Sequence, residues 1–153
     1  MQTEKDFAQI AGAGLNYVRI PLPYWAIETR DGEPFLAKTA WKCVPTCSGI
    51  SLILIVPRYF LKAIEWARKY GLRINLDLHS LPGSQNGWNH SGRLGTINVL
   101  NGPMGLANAE RSLDYIRILA EFISQPQYKD VVTMFGITNE PQASTVGLDS
   151  LSR

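Results

Sequence analysis

The hydrophobic residues of this chain follow helical and strand patterns in strict alternation. Helical spacing covers residues 4–11, 59–70 and 108–124, and β-branched or aromatic runs cover residues 17–21, 73–79 and 131–137. The order α, β, α, β, α, β is typical of parallel strands joined by right-handed crossovers. The sequence therefore predicts an α/β fold. In such folds the chemistry gathers at the carboxyl ends of the strands.

Local rules predict the ends and the buried faces of the three helices. Thr3 and Asp6 have the spacing of a capping box for the first helix. The second helix has an apolar stripe formed by Phe60, Ala63, Ile64 and Ala67. For the third helix we expect Asn108 as the N-cap and a buried stripe made of Leu113, Ile116, Leu119, Ala120 and Ile123.

Each predicted strand carries polar residues near its carboxyl end, the edge of the sheet at which side chains of neighbouring parallel strands would come together. In the second strand Asp77 and His79 alternate with apolar residues, so they share one face. His79 is either a hydrogen-bonding site residue or a satisfied interior histidine, and the second is the commoner case. Arg19 in the first strand is either a structural ion-pair partner or a site residue, because a permanent cation beside apolar residues needs a partner.

The third strand leads into Asn139-Glu140-Pro141. A carboxyl group at the mouth of a barrel can act as a general acid, and the proline fixes the chain as it turns into the loop. An exposed surface glutamate is the alternative. Polar ends on three successive strands favour a common site more strongly than any one of them does.

Two segments are too long for ordinary α/β loops. Residues 80–107 are rich in Gly, Asn and Ser, and loops of this length are usually functional or disordered. Residues 28–58 contain both cysteines and the uncharged run 50–56, which has high β-propensity. Such a run has to be buried or paired as an extra strand, or it becomes an aggregation hazard.

Composition limits the remaining classes of protein. The chain has 153 residues, 45% of them hydrophobic, and a net charge of +2, which fits one domain and excludes a strongly basic nucleic-acid binder. We expect no membrane span, because no apolar run approaches about 20 residues. The start of the chain has no apolar region typical of a signal peptide. Two Cys and two His are too few for a disulfide framework, and we expect no structural metal site. No cofactor motif is present.

Three motifs together resemble one enzyme family. Residues 15–21, Leu-Asn-Tyr-Val-Arg-Ile-Pro, resemble the second barrel strand of glycoside hydrolase family 5. Asp-Leu-His at 77–79 with Pro-Gly-Ser-Gln-Asn-Gly at 82–87 resembles the third strand and loop of its fungal exo-β-1,3-glucanases. Gly-Ile-Thr-Asn-Glu-Pro at 136–141 resembles the fourth strand. The resemblance implies an incomplete (β/α)8 TIM barrel that contains the second to fourth strands.

The resemblance also implies an activity, the hydrolysis of β-1,3-glucan with retention of configuration. Glu140 matches the acid/base carboxyl, and Asn139 matches the residue that binds the sugar 2-hydroxyl. Arg19 matches the arginine that supports the nucleophile. His79 and Trp88 match residues of the sugar subsites, Trp88 as an aromatic platform. Asn89 stands where relatives usually carry an acid.

A retaining glycosidase needs two carboxyl groups. The family's nucleophile lies on the seventh strand, which has no counterpart here, and Asp77 inside the second strand fits a barrel-core role. We therefore expect the isolated chain to be inactive. The alternatives are a non-catalytic glucan-binding or decoy protein and a non-functional gene product.

The remaining expectations concern the organisation of the chain and its surroundings. Residues 1–153 are interpreted as one partial barrel domain with an unmatched insertion at about 43–58. The insertion is either a translated intron or gene-model error, or a real added strand or hairpin. Unpaired sheet edges predict self-association. The resemblance implies an extracellular or cell-wall location, whereas the start of the chain leaves a cytoplasmic one open.

Overall fold

A computed structural model describes residues 2–35, 58–147 and 149, and it contains the three expected strands. They are β1 (Tyr17–Pro23), β2 (Arg73–Ser80) and β3 (Val132–Gly136). They form a parallel sheet in the order β1-β2-β3, as the alternating pattern predicts. The proposed insertion up to residue 57, including the run 50–56 and both cysteines, lies outside the described residues.

The described residues fall into two compact units. The first consists of residues 2–19, 25–35, 58–75 and 122–134, and the second consists of residues 20–24, 76–121, 135–147 and 149. Each strand contributes its amino-terminal part to the first unit and its carboxyl-terminal part to the second. The strand ends that the sequence singles out after β2 and β3 therefore belong to the second unit.

The first unit contains two helices, α1 (Glu4–Gly12) and α2 (Arg58–Lys69). The N–H and hydroxyl of Thr3 donate to Asp6 Oδ2 at 2.6 and 2.9 Å, which confirms the capping-box pairing. Phe7 of α1 packs on Trp66 of α2 with ring centroids 5.5 Å apart. The predicted stripe of α2 is confirmed, since its four apolar residues are all buried.

An ion pair in the first unit predicts a pH dependence of stability. The Arg68 guanidinium donates to both carboxylate oxygens of Asp130, at 2.9 and 3.3 Å, and this lowers the pKa of Asp130 below its ordinary value of about 3.9. A carboxyl group whose pKa is lower in the folded than in the unfolded protein stabilises the fold when the pH is above the unfolded pKa. This stabilisation is lost as the pH falls through the folded pKa. We expect the Tm to fall as the pH drops below about 4, and Asp130→Asn to reduce that fall. Thermal unfolding across this range tests the pair, and identical profiles for the two proteins would contradict it.

β2 shows the expected alternation. Ile74, Leu76 and Leu78 are buried on one side of the strand. Asp77 on the other side is also buried, and it contacts His79 two residues along. The middle strand is therefore fully covered on its apolar face, and on its other face at Asp77, whereas His79 stays partly exposed.

Helix α3 (Gly105–Ile123) differs from its sequence expectation at both its start and its face. It begins three residues before Asn108, whose side-chain amide instead donates to Asn98 O at 2.9 Å. Leu119 is buried as expected, but Leu113 is 64% exposed, because the other inward positions belong to Tyr115 and Phe122. Leu113 lies two residues from Tyr115, which is about 200° around a helix. Aromatic packing decides the face here.

Two aromatic clusters account for this orientation of α3. In the second unit the ring of Tyr115 stacks on Tyr24 at 6.2 Å, with the guanidinium of buried Arg111 over both rings. In the first unit Phe122 packs on Phe60 and Tyr128. Among the described helices, none has the length and apolar character needed to cross a membrane.

Candidate active site

The carboxyl end of β2 presents a buried carboxylate joined to an imidazole. Asp77 Oδ2 lies 2.6 Å from His79 Nδ1, and Asp77 is buried whereas His79 is partly exposed. Gly136 of β3 leaves room for this carboxylate, since a Cβ there would lie 3.1 Å from Asp77 Oδ1. Asp77 thus fixes the orientation of the His79 ring and leaves Nε2 as the atom that could meet a ligand.

Glu140 follows β3 and has an unusual backbone. Its φ is +46°, in the left-handed region that residues with a side chain seldom occupy. Its side chain is 61% exposed, and Oε2 lies 3.1 Å from His90 Nε2. The carboxylate can therefore meet a molecule from solvent while an imidazole holds it on one side.

Two further rings contact the His90 ring beside this carboxylate. The His90 ring lies 5.8 Å from His79 and 5.4 Å from Trp88, measured between centroids. Trp88 is 49% exposed, so about half of the residue is open to solvent. An open aromatic face next to hydrogen-bonding groups is the arrangement that an amphipathic ring-shaped ligand requires.

The structure brings most of the predicted site residues into the second unit. His79, Trp88, Asn139 and Glu140 all belong to it, and so does Asn89, which is exposed in a short 3₁₀ turn at Asn89–Ser91. Asn139 is buried, and its backbone carbonyl accepts a hydrogen bond from Gln85. Arg19 is exposed on β1 and belongs to the first unit. Its convergence with the other residues stays a prediction.

Sequence reasoning missed His90, Gln85 and Asn86. His90 lies two residues after Trp88, and an imidazole so close to an exposed aromatic residue is itself a signal of chemistry. The two amides lie in the Pro-Gly-Ser-Gln-Asn-Gly motif, where no periodic pattern assigns a partner. Among the described residues, no cluster of His, Cys, Asp and Glu could hold a metal ion.

Comparisons with known proteins agree with this architecture. The chain is 53% identical over 139 residues to the probable glucan 1,3-beta-glucosidase D of Aspergillus niger. The aligned region covers 91% of this chain and 15% of that protein. It is 44% identical over 149 residues to glucan 1,3-beta-glucosidase D of Emericella nidulans, covering 97% and 16% respectively. The chain thus spans about one sixth of the length of these curated relatives. No protein-family model matches it.

Solved structures show the fold. The rutinosidase of Aspergillus niger matches with a TM-score of 0.69 at 22% identity, over 92% of this chain and 34% of that one. Endoglucanase Cel5A of Pseudomonas stutzeri matches with a TM-score of 0.58 at 20% identity, over 95% and 35%. Both are TIM-barrel enzymes, so the three-stranded sheet has the fold of part of a (β/α)8 barrel.

Proposed function

Because this chain is related over most of its length to the glucan 1,3-beta-glucosidases of glycoside hydrolase family 5, we propose that it is part of a retaining β-glucan hydrolase acting on β-1,3-glucosidic bonds. One observation carries the proposal. After the carboxyl end of β3, an exposed Glu140 carboxylate lies beside His90, whose ring also contacts the rings of Trp88 and His79. This is a carboxyl group next to a surface suited to a sugar ring.

In the proposed reaction Glu140 protonates the oxygen of the leaving sugar and later takes a proton from the attacking water. The second carboxyl group of a retaining site has to lie about 5–5.5 Å away and form the covalent glycosyl intermediate. Asp77 does not suit that role, because it is buried and engaged with His79. We assign no nucleophile within this chain.

The other site residues would bind the sugar. The open face of Trp88 suits the apolar face of a pyranose, and His79 Nε2 is oriented to meet a hydroxyl. By resemblance, Asn139 binds the 2-hydroxyl and Asn89 contributes a sugar contact. Arg19 would support the nucleophile once the barrel is complete. An extracellular or cell-wall location and self-association through the sheet edges remain part of this proposal.

Glucan binding tests the site without requiring turnover. We expect the chain to bind laminaritriose, and Trp88→Ala to weaken binding at least about tenfold, because the sugar loses its apolar platform. Tyr59→Ala is a matched control, since Tyr59 is 48% exposed, almost the same fraction as Trp88, and belongs to the first unit. Titration calorimetry measures both variants. Equal affinities for Trp88→Ala and Tyr59→Ala would contradict the proposed site.

A further inference from the structure

The backbone that carries Glu140 needs external support. Glu140 is left-handed, at a φ of +46°, and it precedes a proline, which further restricts its conformation. The segment lies beyond Gly136, the last residue of β3, so the strand does not hold it. A conformation of this kind persists only where the surrounding structure over-determines it.

Gln85 supplies one part of that support from a buried position. It is 1% exposed, and its Nε2 donates to two carbonyls, His79 O at 2.8 Å and Asn139 O at 2.9 Å. Its Oε1 accepts the N–H of Leu81 at 3.1 Å, and its backbone carbonyl accepts the N–H of Gln142 at 3.0 Å. One neutral carboxamide thus joins the end of β2 to the segment after β3.

Asn86 supplies the other part. It is also buried, and its Nδ2 donates to the carbonyl of Glu140 itself at 3.1 Å. Its Oδ1 accepts the N–H of Trp88 at 3.0 Å. Asn86 therefore ties the peptide of Glu140 to the residue that carries the open aromatic face.

We propose that Gln85 and Asn86 form an amide clamp that holds Glu140 in its left-handed conformation, and that they are positioning residues for its carboxyl group. The inference rests on the proposed role of Glu140 as acid/base. Only an amide has the two N–H donors and the carbonyl acceptor that Gln85 uses here. A methionine of similar size keeps the packing and loses all three hydrogen bonds.

The test follows the backbone of Glu140 by NMR, independently of any activity. At positive φ the amide and Hα protons of one residue lie close together, so their NOE is strong. In Gln85→Met we expect the Glu140 NOE to fall to the level of Glu65, which lies in helix α2. The Leu81 amide, deprived of its acceptor, should exchange with deuterium about tenfold faster.

Two controls separate the clamp from general stability. Asn108→Leu removes another side-chain amide bond to a carbonyl in the same unit and should leave the Glu140 NOE unchanged. Leu100, at a φ of +55°, should keep its own strong NOE in Gln85→Met. An unchanged Glu140 NOE in Gln85→Met would overturn the clamp, and so would loss of the Leu100 NOE alongside it, because Gln85 would then act on the whole loop.

The proposed function has its own readout in the same samples. Laminaritriose added to the wild-type chain should shift the Glu140 carboxyl and His90 ring signals. If these signals do not move while Gln85→Met still changes the Glu140 NOE, the clamp stands and the glucan site is wrong. If they move in the wild type but the NOE is insensitive to Gln85→Met, the site stands and the clamp is wrong.

Discussion

Purified as 153 residues, this chain should release no sugar from laminarin above the buffer rate. The reason is the proposed requirement for two carboxyl groups: Glu140 can protonate a leaving oxygen, but without a nucleophile no glycosyl intermediate forms. Loss of one member of a catalytic set costs on the order of 10⁴-fold or more in rate. A reducing-sugar assay at high protein concentration, compared with a complete enzyme of the family, measures the difference.

Glu140→Gln is the control for this prediction, and it should release sugar at the same background rate as the wild-type chain. Laminaritriose binding measured on the same preparation shows that the site has folded. Turnover by the wild-type chain that disappears in Glu140→Gln would contradict the prediction, since a second carboxyl group would then have to lie within these residues. Binding without turnover would agree with a partial hydrolase and equally with a glucan-binding protein.

The positions of the strands could be predicted because the local pattern of apolar and polar residues agrees with the burial that the sheet imposes. In β2 the alternation of apolar and polar residues matches the pleat of a strand, and burial of Ile74, Leu76 and Leu78 follows from it. The contact between Asp77 and His79 follows from the same periodicity, since residues two apart share a face. The position of Glu140 just after β3 follows from the end of the strand pattern and the proline.

The amide clamp and His90 could not be predicted in this way. Gln85 and Asn86 donate to backbone carbonyls 54 residues further along the chain. Every residue has a backbone carbonyl, so the sequence does not show which one will be the partner. The face of α3 was predicted only in part, for a related reason: Leu119 is buried as expected, whereas Leu113 is exposed. Leu113 and Tyr115 both suit a buried stripe, and only the ring of Tyr24 against Tyr115 decides between them. Contacts between residues far apart in the sequence decide which of the periodic positions are buried, and the periodicity alone does not.

Gly83→Ala should be among the most destabilising single substitutions in the loop that holds the clamp. Gly83 has a φ of +83°, and a Cβ there would lie 2.7 Å from Asn98 O and 2.4 Å from Asn108 Nδ2. The Asn108 side chain could move, but Asn98 O belongs to the backbone, and Asn98 N–H donates to Gly83 O at 2.8 Å. We expect a left-handed cost of about 1–2 kcal/mol plus an overpacking cost of about 1–3 kcal/mol.

Gly14→Ala separates these two costs. Gly14 has the same φ of +83°, but a Cβ there meets nothing within 4 Å, so only the backbone cost of about 1–2 kcal/mol remains. Urea unfolding followed by circular dichroism gives both free energies of unfolding. Because Gly83 lies two residues before Gln85, Gly83→Ala should also weaken laminaritriose binding, whereas Gly14→Ala should not. Equal destabilisation by the two substitutions would show that the Asn98 backbone moves away from the new methyl group. The loop around the clamp would then be more flexible than its contacts indicate.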